Sequence, residues 1–292
     1  MISRRVFIAG AAAAFVQPKI DHELKSDVFV GGEDSFNVTS TLVMGPTEAL
    51  LVDCQYHLSE ATRLAERVRA SGRRLKAIFI THPHDDHYIG LSALHAAFPA
   101  TPIFMTLRAL GEFDRTWKDA LAGQKGYIPS ETPDDVPRPT PLPSPEFILD
   151  GQKLVVLEDL GGDYPDVPVN SCICIPSSRT IVAGDLVFNG LHPWLAGSTK
   201  KSRMAWRDSL RRLSSLRATR VIAGHKAPPQ AADSPTLLPA MTQYLSDFET
   251  YLEKLDSKEA FVAEMLKRYP NLAQPGFLTR AAASLYATRE KP

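Results

Sequence analysis

Residues 81 to 90 hold the densest group of metal-binding side chains in this sequence. The segment reads Thr-His-Pro-His-Asp-Asp-His-Tyr-Ile-Gly, with three histidines and two aspartates between positions 82 and 87. The run before it, Lys-Ala-Ile-Phe-Ile at 76–80, is rich in β-branched and aromatic residues and predicts a buried strand. Because open α/β sheets bind ligands beyond the carboxyl ends of their strands, the segment predicts a metal site at a sheet edge.

The side chains in this segment suit particular ions. Neutral imidazoles and carboxylates bind Zn²⁺ and other divalent first-row metals. On one tight turn, His82, His84, Asp86 and His87 can point at two adjacent metal positions. A lone histidine is usually structural, but packing does not explain this density of ligands after a strand. The segment therefore predicts a metalloenzyme.

The six residues 82–87 resemble the His-x-His-x-Asp-His signature of the metallo-β-lactamase superfamily. Two later segments match that family in order and context. Its next acidic ligand follows a buried strand as Gly-Asp, as Asp185 does within 180–188, and its last histidine closes a strand, as His225 does within 220–226. The resemblance extends over residues 28 to 226, about two thirds of the chain.

This resemblance implies an α/β fold, the four-layered αββα metallo-β-lactamase sandwich, with a helical C-terminal extension. The sandwich domain is expected at 24–232 and the extension at 233–292. The resemblance also implies two metal positions. One would use His82 and His84, the other Asp86, His87 and His225, with Asp185 bridging them.

One expected element of the family is missing. Between the first motif and the Gly-Asp, the family normally has a Gly-His segment, whereas residues 160–170 contain no histidine. Asp163 stands where that histidine would be and could supply an oxygen ligand, since carboxylate bonds to zinc are about as short as imidazole bonds. Asp166 is a competing candidate, and both could instead be turn residues beside prolines. Without either, the first position keeps His82, His84 and the shared Asp185.

The function implied by the resemblance is a metal-dependent hydrolase holding one or two zinc ions, with iron or manganese as other metals to consider. A bound Zn²⁺ lowers the pKa of water from 15.7 to about 7 and polarises a carbonyl or phosphoryl oxygen. Asp86 is the predicted catalytic residue, as a ligand, an orienting group or a proton carrier. In true metallo-β-lactamases another residue typically replaces the Gly-Asp ligand, so Asp185 favours an ester, lactone, thioester or related small-molecule substrate over a lactam.

Two other functional classes remain open from the sequence. His and carboxylate ligands also serve non-haem iron, which would fit an oxidoreductase of the same fold similar to persulfide dioxygenases. The missing histidine would also fit a non-catalytic metal-binding protein. The identity of the bound metal distinguishes the iron oxidoreductase from a zinc hydrolase. Turnover of esters, lactones and thioesters distinguishes an enzyme from a non-catalytic metal-binding protein.

Two segments near the motifs carry further predictions. Asn189 and His192 follow the Gly-Asp and are predicted to contact the substrate, although His192 could instead fix a loop. Residues 107–145 form an insertion with seven prolines between positions 129 and 145, which argues against a central sheet. This Pro-rich insertion is either a partly helical lid over the metals or a surface excursion.

Composition limits the other classes of function. The chain has 292 residues, 44% of them hydrophobic, and its 33 basic and 33 acidic residues balance. The length suits one large domain or a domain with an appendage, and the zero net charge argues against binding nucleic acid. The three cysteines do not form a disulfide framework, because Cys172 and Cys174 alternate along a predicted strand and read as packing residues.

The two ends of the chain carry separate predictions. At the N-terminus, residues 1–20 resemble a twin-arginine export signal, with Arg4 and Arg5 before an apolar run too short for a stable membrane span. This predicts a periplasmic or secreted protein, and the alternative is a cytoplasmic arm. Beyond Pro235, apolar residues recur at helical spacing. These helices would cap the sandwich or form a homodimer contact.

Overall fold

The computed structural model describes residues 23–165 and 167–287. The predicted export signal and Asp166 lie outside the described residues. Within them, the chain forms two main β-sheets stacked between two layers of helices. No helix in the described part is both long and apolar enough to cross a membrane.

The first sheet has six strands in sequence order. They are β1 (Lys25–Val30), β2 (Thr39–Met44), β3 (Glu48–Val52), β4 (Arg74–Ile80), β5 (Ile103–Met105) and β6 (Thr140–Pro141). Neighbours from β1 to β3 are antiparallel, and neighbours from β3 to β6 are parallel. The buried strand predicted at 76–80 is confirmed as part of β4.

The second sheet has five strands in the spatial order β12-β10-β9-β8-β7, and a separate two-stranded pair joins β11 to β13. The strands are β7 (Glu146–Leu149), β8 (Gln152–Leu160), β9 (Asn170–Ile175), β10 (Thr180–Val182), β11 (Phe188–Asn189), β12 (Arg220–Ile222) and β13 (His225–Lys226). Neighbours are antiparallel except for β10 with β12 and β11 with β13, which are parallel.

The two sheets face each other across an apolar core. Successive side chains of a strand point to opposite faces, so Ile173 and Ile175 of β9 enter this core while Cys172 and Cys174 face the helices behind the second sheet. All three cysteines are buried and free. The packing role predicted for Cys172 and Cys174 is therefore confirmed.

Helices cover the outer face of each sheet. On the first sheet lie α1 (Leu58–Ala70), α2 (Asp85–Tyr88), α3 (Leu91–Ala97) and α4 (Leu107–Tyr127). Behind the second sheet lie α5 (Lys200–Ser215), α6 (Leu237–Lys254), α7 (Lys258–Arg268) and α8 (Pro275–Ala287). The order helix, sheet, sheet, helix is the predicted αββα sandwich with helices at its C-terminal end.

The C-terminal helices share one core with the sandwich. Trp206 and Leu210 of α5 belong to the same buried cluster as Phe248 of α6, Phe261 of α7 and Leu278 of α8. The extension therefore caps the second sheet, which was one of the two arrangements expected for these helices. A homodimer contact through these helices stays a prediction.

Two helices and one insertion follow β4 along the chain. Helix α2 begins within the metal motif, at Asp85, and α3 begins after it, at Leu91. The insertion at 107–145 starts with the 21-residue α4, so only its later part is irregular and Pro-rich. Residues 200–203 form the first turn of α5, which Thr199 and Ser202 cap reciprocally.

Candidate metal centre

The site lies where four parallel strands of the two sheets end. Asp53 follows β3, and the motif 81–87 follows β4. From the second sheet, Asp185 follows β10 and His225 lies three residues beyond the end of β12. The structure thus brings together side chains that are far apart in the sequence, as the resemblance implied.

A first cluster of ligand atoms combines His82, His84, Asp163 and Asp185, all within 4.8 Å of one another. Asp163 Oδ2 lies 2.8 Å from His84 Nδ1 and 3.7 Å from His82 Nε2. The Asp163 side chain is fully buried, and its Oδ1 accepts a hydrogen bond of 3.2 Å from the side-chain amide of Asn170. Asp163 therefore lies beside the two histidines of the motif, within the group of residues that could hold a metal ion.

A second cluster combines Asp86, His87 and His225, again within 4.8 Å. Asp185 lies between the two clusters, because its Oδ1 is 3.1 Å from His87 Nε2 and its Oδ2 is 3.1 Å from His225 Nε2. Asp86 Oδ2 is 3.4 Å from the same His225 nitrogen. This is the placement expected of a bridging carboxylate.

Asp53 orients two of the histidines, and the sequence analysis did not identify it. His87 Nδ1 donates to Asp53 Oδ2 at 2.9 Å, which leaves Nε2 facing the cluster. The Thr81 hydroxyl also donates to Asp53 at 2.9 Å and accepts at 3.0 Å from His82 Nδ1. A signal was available, since Asp53 directly follows a buried strand, as the predicted ligands do.

A backbone carbonyl orients His225. Its Nδ1 donates to the carbonyl oxygen of Phe36 at 2.8 Å, so Nε2 points at Asp185. Thus three histidines have the Nδ1 proton held by an acceptor outside the clusters and present Nε2 to them. This arrangement is typical of metal-binding histidines.

The charges in the site favour the ligand forms of Asp185 and His82, whereas for His84, His87 and His225 the neighbouring carboxylates outweigh burial and raise the pKa. Burial would raise the pKa of the Asp185 carboxyl, but His225 and His87 beside it lower that pKa well below its usual range. Burial, reinforced by the neighbouring His87, lowers the pKa of His82 well below its ordinary value. Asp185 is therefore a carboxylate and His82 a neutral imidazole, as a metal requires of its ligands.

A cavity of about 470 Å³ opens onto both clusters. Its floor includes His84, Asp86, Asp185 and His225. Its walls are mainly aromatic, formed by Phe36, Tyr56, Tyr127, Trp194 and Phe277. Apolar walls around a few polar groups are typical of small-molecule sites.

The comparison with known families agrees with this geometry. The sequence model of the Metallo-beta-lactamase superfamily matches residues 34–225, about two thirds of the chain. The chain belongs to this superfamily. No curated protein matches it in sequence at a significant level.

Solved structures of metallo-beta-lactamase superfamily proteins share the fold. TTHA1429 of Thermus thermophilus, a metallo-beta-lactamase family protein, is 20% identical with a TM-score of 0.63, over 91% of this chain and 93% of its own. TMB-1 is 20% identical with a TM-score of 0.53, over 77% and 92%. The metallo-beta-lactamase of Pontibacter korlensis is 18% identical with a TM-score of 0.53, over 79% and 98%. Identities at this level show the shared fold and leave the substrate open.

Buried polar atoms without partners test whether the clusters fit metal ions. Nε2 of His82 and Nε2 of His87 are buried and have no hydrogen-bond partner among the described residues. Asp185 Oδ1 is likewise buried and without a hydrogen-bond partner among the described residues. Leaving such groups unsatisfied is costly. A cation in the first cluster would satisfy His82 Nε2, one in the second would satisfy His87 Nε2, and Asp185 lies beside both. The clusters therefore fit the two metal positions of a superfamily site.

The predicted substrate contacts lie away from the cavity wall. Asn189 donates its side-chain amide to the carbonyl of Ala232 at 3.0 Å. His192 is fully buried, and its Nδ1 lies 2.7 Å from the hydroxyl of Tyr244 on α6. Neither residue is among the described residues that line the cavity. The structure supports the alternative for His192, which was to fix a loop.

Proposed function

We propose that this protein is a hydrolase that holds two divalent metal ions, mainly zinc, and acts on an ester, lactone, thioester or related substrate. One observation carries the proposal: seven ligand residues form two adjacent clusters around Asp185, at the floor of an aromatic cavity. The first ion would be held by His82, His84 and Asp163, and the second by Asp86, His87 and His225, with Asp185 shared.

Bound ions would supply an activated water molecule and polarise the acyl oxygen of the substrate. The protein supplies orientation. Asp53 holds the ring of His87, and the Phe36 carbonyl holds the ring of His225, so that neither can turn its Nε2 away. The cavity walls bind the apolar part of the substrate and exclude water from it.

Asp86 is the proposed catalytic residue. It is 7% exposed and lines the cavity, and its Oδ2 lies 3.4 Å from His225 Nε2. The Asp86 carboxyl thus lies where the second cluster meets the space open to substrate. From this position it can pass a proton to the leaving group, besides serving as a ligand.

Turnover by matched variants tests the proposal. A panel of esters, lactones and thioesters is first screened for a substrate of the wild type. Changing Asp185 or His225 to Ala should lower kcat/KM for that substrate. Acid–base help alone is worth about 10²–10⁴-fold, and losing the ions should cost at least the upper part of that range. His95 on α3 is exposed, so His95→Ala is the control and should change little. Activity within about tenfold of wild type in both folded variants, near 1.4 kcal/mol, would contradict the proposal.

We also propose export of the folded protein to the periplasm or beyond. The support is the pair Arg4 and Arg5 before a short apolar run. Replacing both arginines with lysine should retain the protein in the cytoplasm, as measured by cell fractionation. Equal cytoplasmic retention of the wild type and the variant would show that residues 1–20 are not a signal.

A further inference from the structure

Helix α8 contributes two side chains to the metal-facing cavity, Phe277 and Arg280. Both lie well beyond residues 34–225, where the superfamily model matches. Residues three apart in a helix are neighbours on its surface. One helix from the C-terminal extension therefore presents an aromatic ring and a guanidinium group side by side to the cavity.

Contacts along α8 fix its position against the sandwich. Just before the helix, the side-chain amide of Gln274 donates to the carbonyl of Glu33 at 2.8 Å, and the backbone N–H of Ala273 donates to Gly190 at 2.9 Å. Near its other end, Ser284 Oγ accepts from the backbone N–H of Gly197 at 3.0 Å. The helix is thus held at both ends by loops that border the site.

Phe277 is part of a connected aromatic wall. Its ring centroid lies 5.4 Å from that of Phe36 and 5.2 Å from that of Trp194, and Phe36 is 5.3 Å from Tyr56. The Phe277 ring also lies 6.3 Å from the ring of His225. The wall therefore reaches the second metal cluster and suits a planar or bulky apolar group next to the reacting bond.

Arg280 is exposed, and no hydrogen bond or ion pair joins it to another described residue. Arg115, in the adjoining cleft, forms an ion pair of 2.7 Å with Glu112. The other charged groups facing the cavity are His84 and His225 and the carboxylates Asp85, Asp86 and Asp185 on its floor. In the proposed enzyme the ions would neutralise Asp86 and Asp185, so Arg280 is a cationic side chain of the cavity that a substrate anion could meet apart from the ions.

We propose that Arg280 determines specificity by binding a carboxylate of the substrate. The substrate class is then an acyl compound that carries an apolar, preferably aromatic, body between its scissile bond and an anionic group. This inference rests on the proposed hydrolase function, because that function places the scissile bond at the two clusters. A planar guanidinium group binds carboxylates through paired hydrogen bonds.

Two esters that differ by one charge test the inference. Phenyl acetate is neutral, and 4-carboxyphenyl acetate carries the predicted carboxylate. In Arg280→Gln, kcat/KM for the charged ester should fall at least about tenfold more than for the neutral one, mainly through KM. Arg280→Lys should keep part of the preference. Arg207 is exposed on α5 and does not line the cavity, so Arg207→Gln should leave kcat/KM for both esters unchanged. An equal effect of Arg280→Gln on both esters, or none, would overturn the inference.

A binding measurement separates this inference from the proposed hydrolysis. Acetanilide and 4-acetamidobenzoate are the amide analogues of the two esters, and calorimetry gives their Kd values. If wild type cleaves neither ester, the proposed function fails for simple aryl esters. The role of Arg280 in binding an anion is still supported if Arg280→Gln raises the Kd of 4-acetamidobenzoate at least about tenfold and leaves the Kd of acetanilide unchanged. No binding of 4-acetamidobenzoate, or no selective loss in the variant, would overturn the anion site.

Discussion

Asp163 stands where the resemblance to the superfamily implies a histidine. An aspartate in place of a histidine exchanges a neutral nitrogen ligand for a charged oxygen ligand, so the first cluster contains two carboxylates, Asp163 and Asp185. Burial raises the pKa of Asp163, while His84 beside it opposes that rise. A divalent cation would balance this charge more fully than a protonated histidine does.

Replacing Asp163 with Ala should therefore weaken the first metal position. Loss of groups that merely support a ligand costs about 10–100-fold in affinity, and a direct ligand should cost at least as much. Zinc titration against a competing chelator measures the change. Asp166→Ala is the matched control and should lower the affinity for zinc less. Unchanged affinity in Asp163→Ala would remove that residue from the ligand set, and a large loss only in Asp166→Ala would reverse the assignment.

His192 gives a pH-dependent prediction at the same scale. Burial lowers its pKa from 6.5 to about 4. Between these values the unfolded chain binds a proton that the folded chain does not, so stability falls as pH drops from 6.5 to 4. The slope contributed is up to about 1.4 kcal/mol per pH unit. The unfolding free energy of His192→Gln should depend less on pH in this window than that of the wild type, whereas His95→Gln should match the wild type. Parallel curves for wild type and His192→Gln would contradict this.

At the scale of elements, strand ends explain both the successes and the omissions of the sequence analysis. His82, Asp185 and His225 were predictable because each follows an apolar run that marks a strand, and parallel strand ends meet at one edge. Asp163 was predictable only by its order between motifs. Phe277 and Arg280 were not predictable, since α8 has no local motif and reaches the site through tertiary packing. The substrate contacts predicted for Asn189 and His192 stay a prediction that the cavity lining does not support, because nearness in sequence does not determine where a loop points its side chains.

The turn after β12 is closely packed against the shared carboxylate. A Cβ added at Gly224 would lie 2.0 Å from Asp185 Oδ1 and 2.6 Å from the backbone carbon of Gly184. Gly224→Ala should therefore displace Asp185 and lower the zinc retained per chain after dialysis, although no ligand is changed.

Gly111→Ala is the control for Gly224→Ala. Gly111 lies in α4, and a Cβ there would meet nothing within 4 Å. Such a helix substitution should keep the metal and stabilise the protein by about 0.4–1 kcal/mol, as measured by unfolding of the same samples. Wild-type zinc content in Gly224→Ala would show that the site tolerates movement of Asp185.

At the scale of the whole molecule, the fold separates the candidate metal ligands from the cavity walls to which we assign substrate selection. The ligands come from strand ends and loops of the αββα sandwich, which the superfamily match covers. The cavity walls come partly from the end of α4, through Tyr127, and from α8 in the C-terminal extension. Tyr127 is 77% exposed at the cavity, which agrees with an insertion bordering the site, and its closing as a lid stays a prediction.

Elemental analysis of freshly purified protein, never exposed to chelator, tests the central claim most directly. We predict between one and two divalent ions per chain, mainly zinc, because two ligand clusters share Asp185. An Asp185→Ala sample prepared in parallel should hold clearly less. No stoichiometric metal in the wild type would contradict the metal centre, and stoichiometric iron alone would contradict the zinc assignment and favour an oxidoreductase of the same fold.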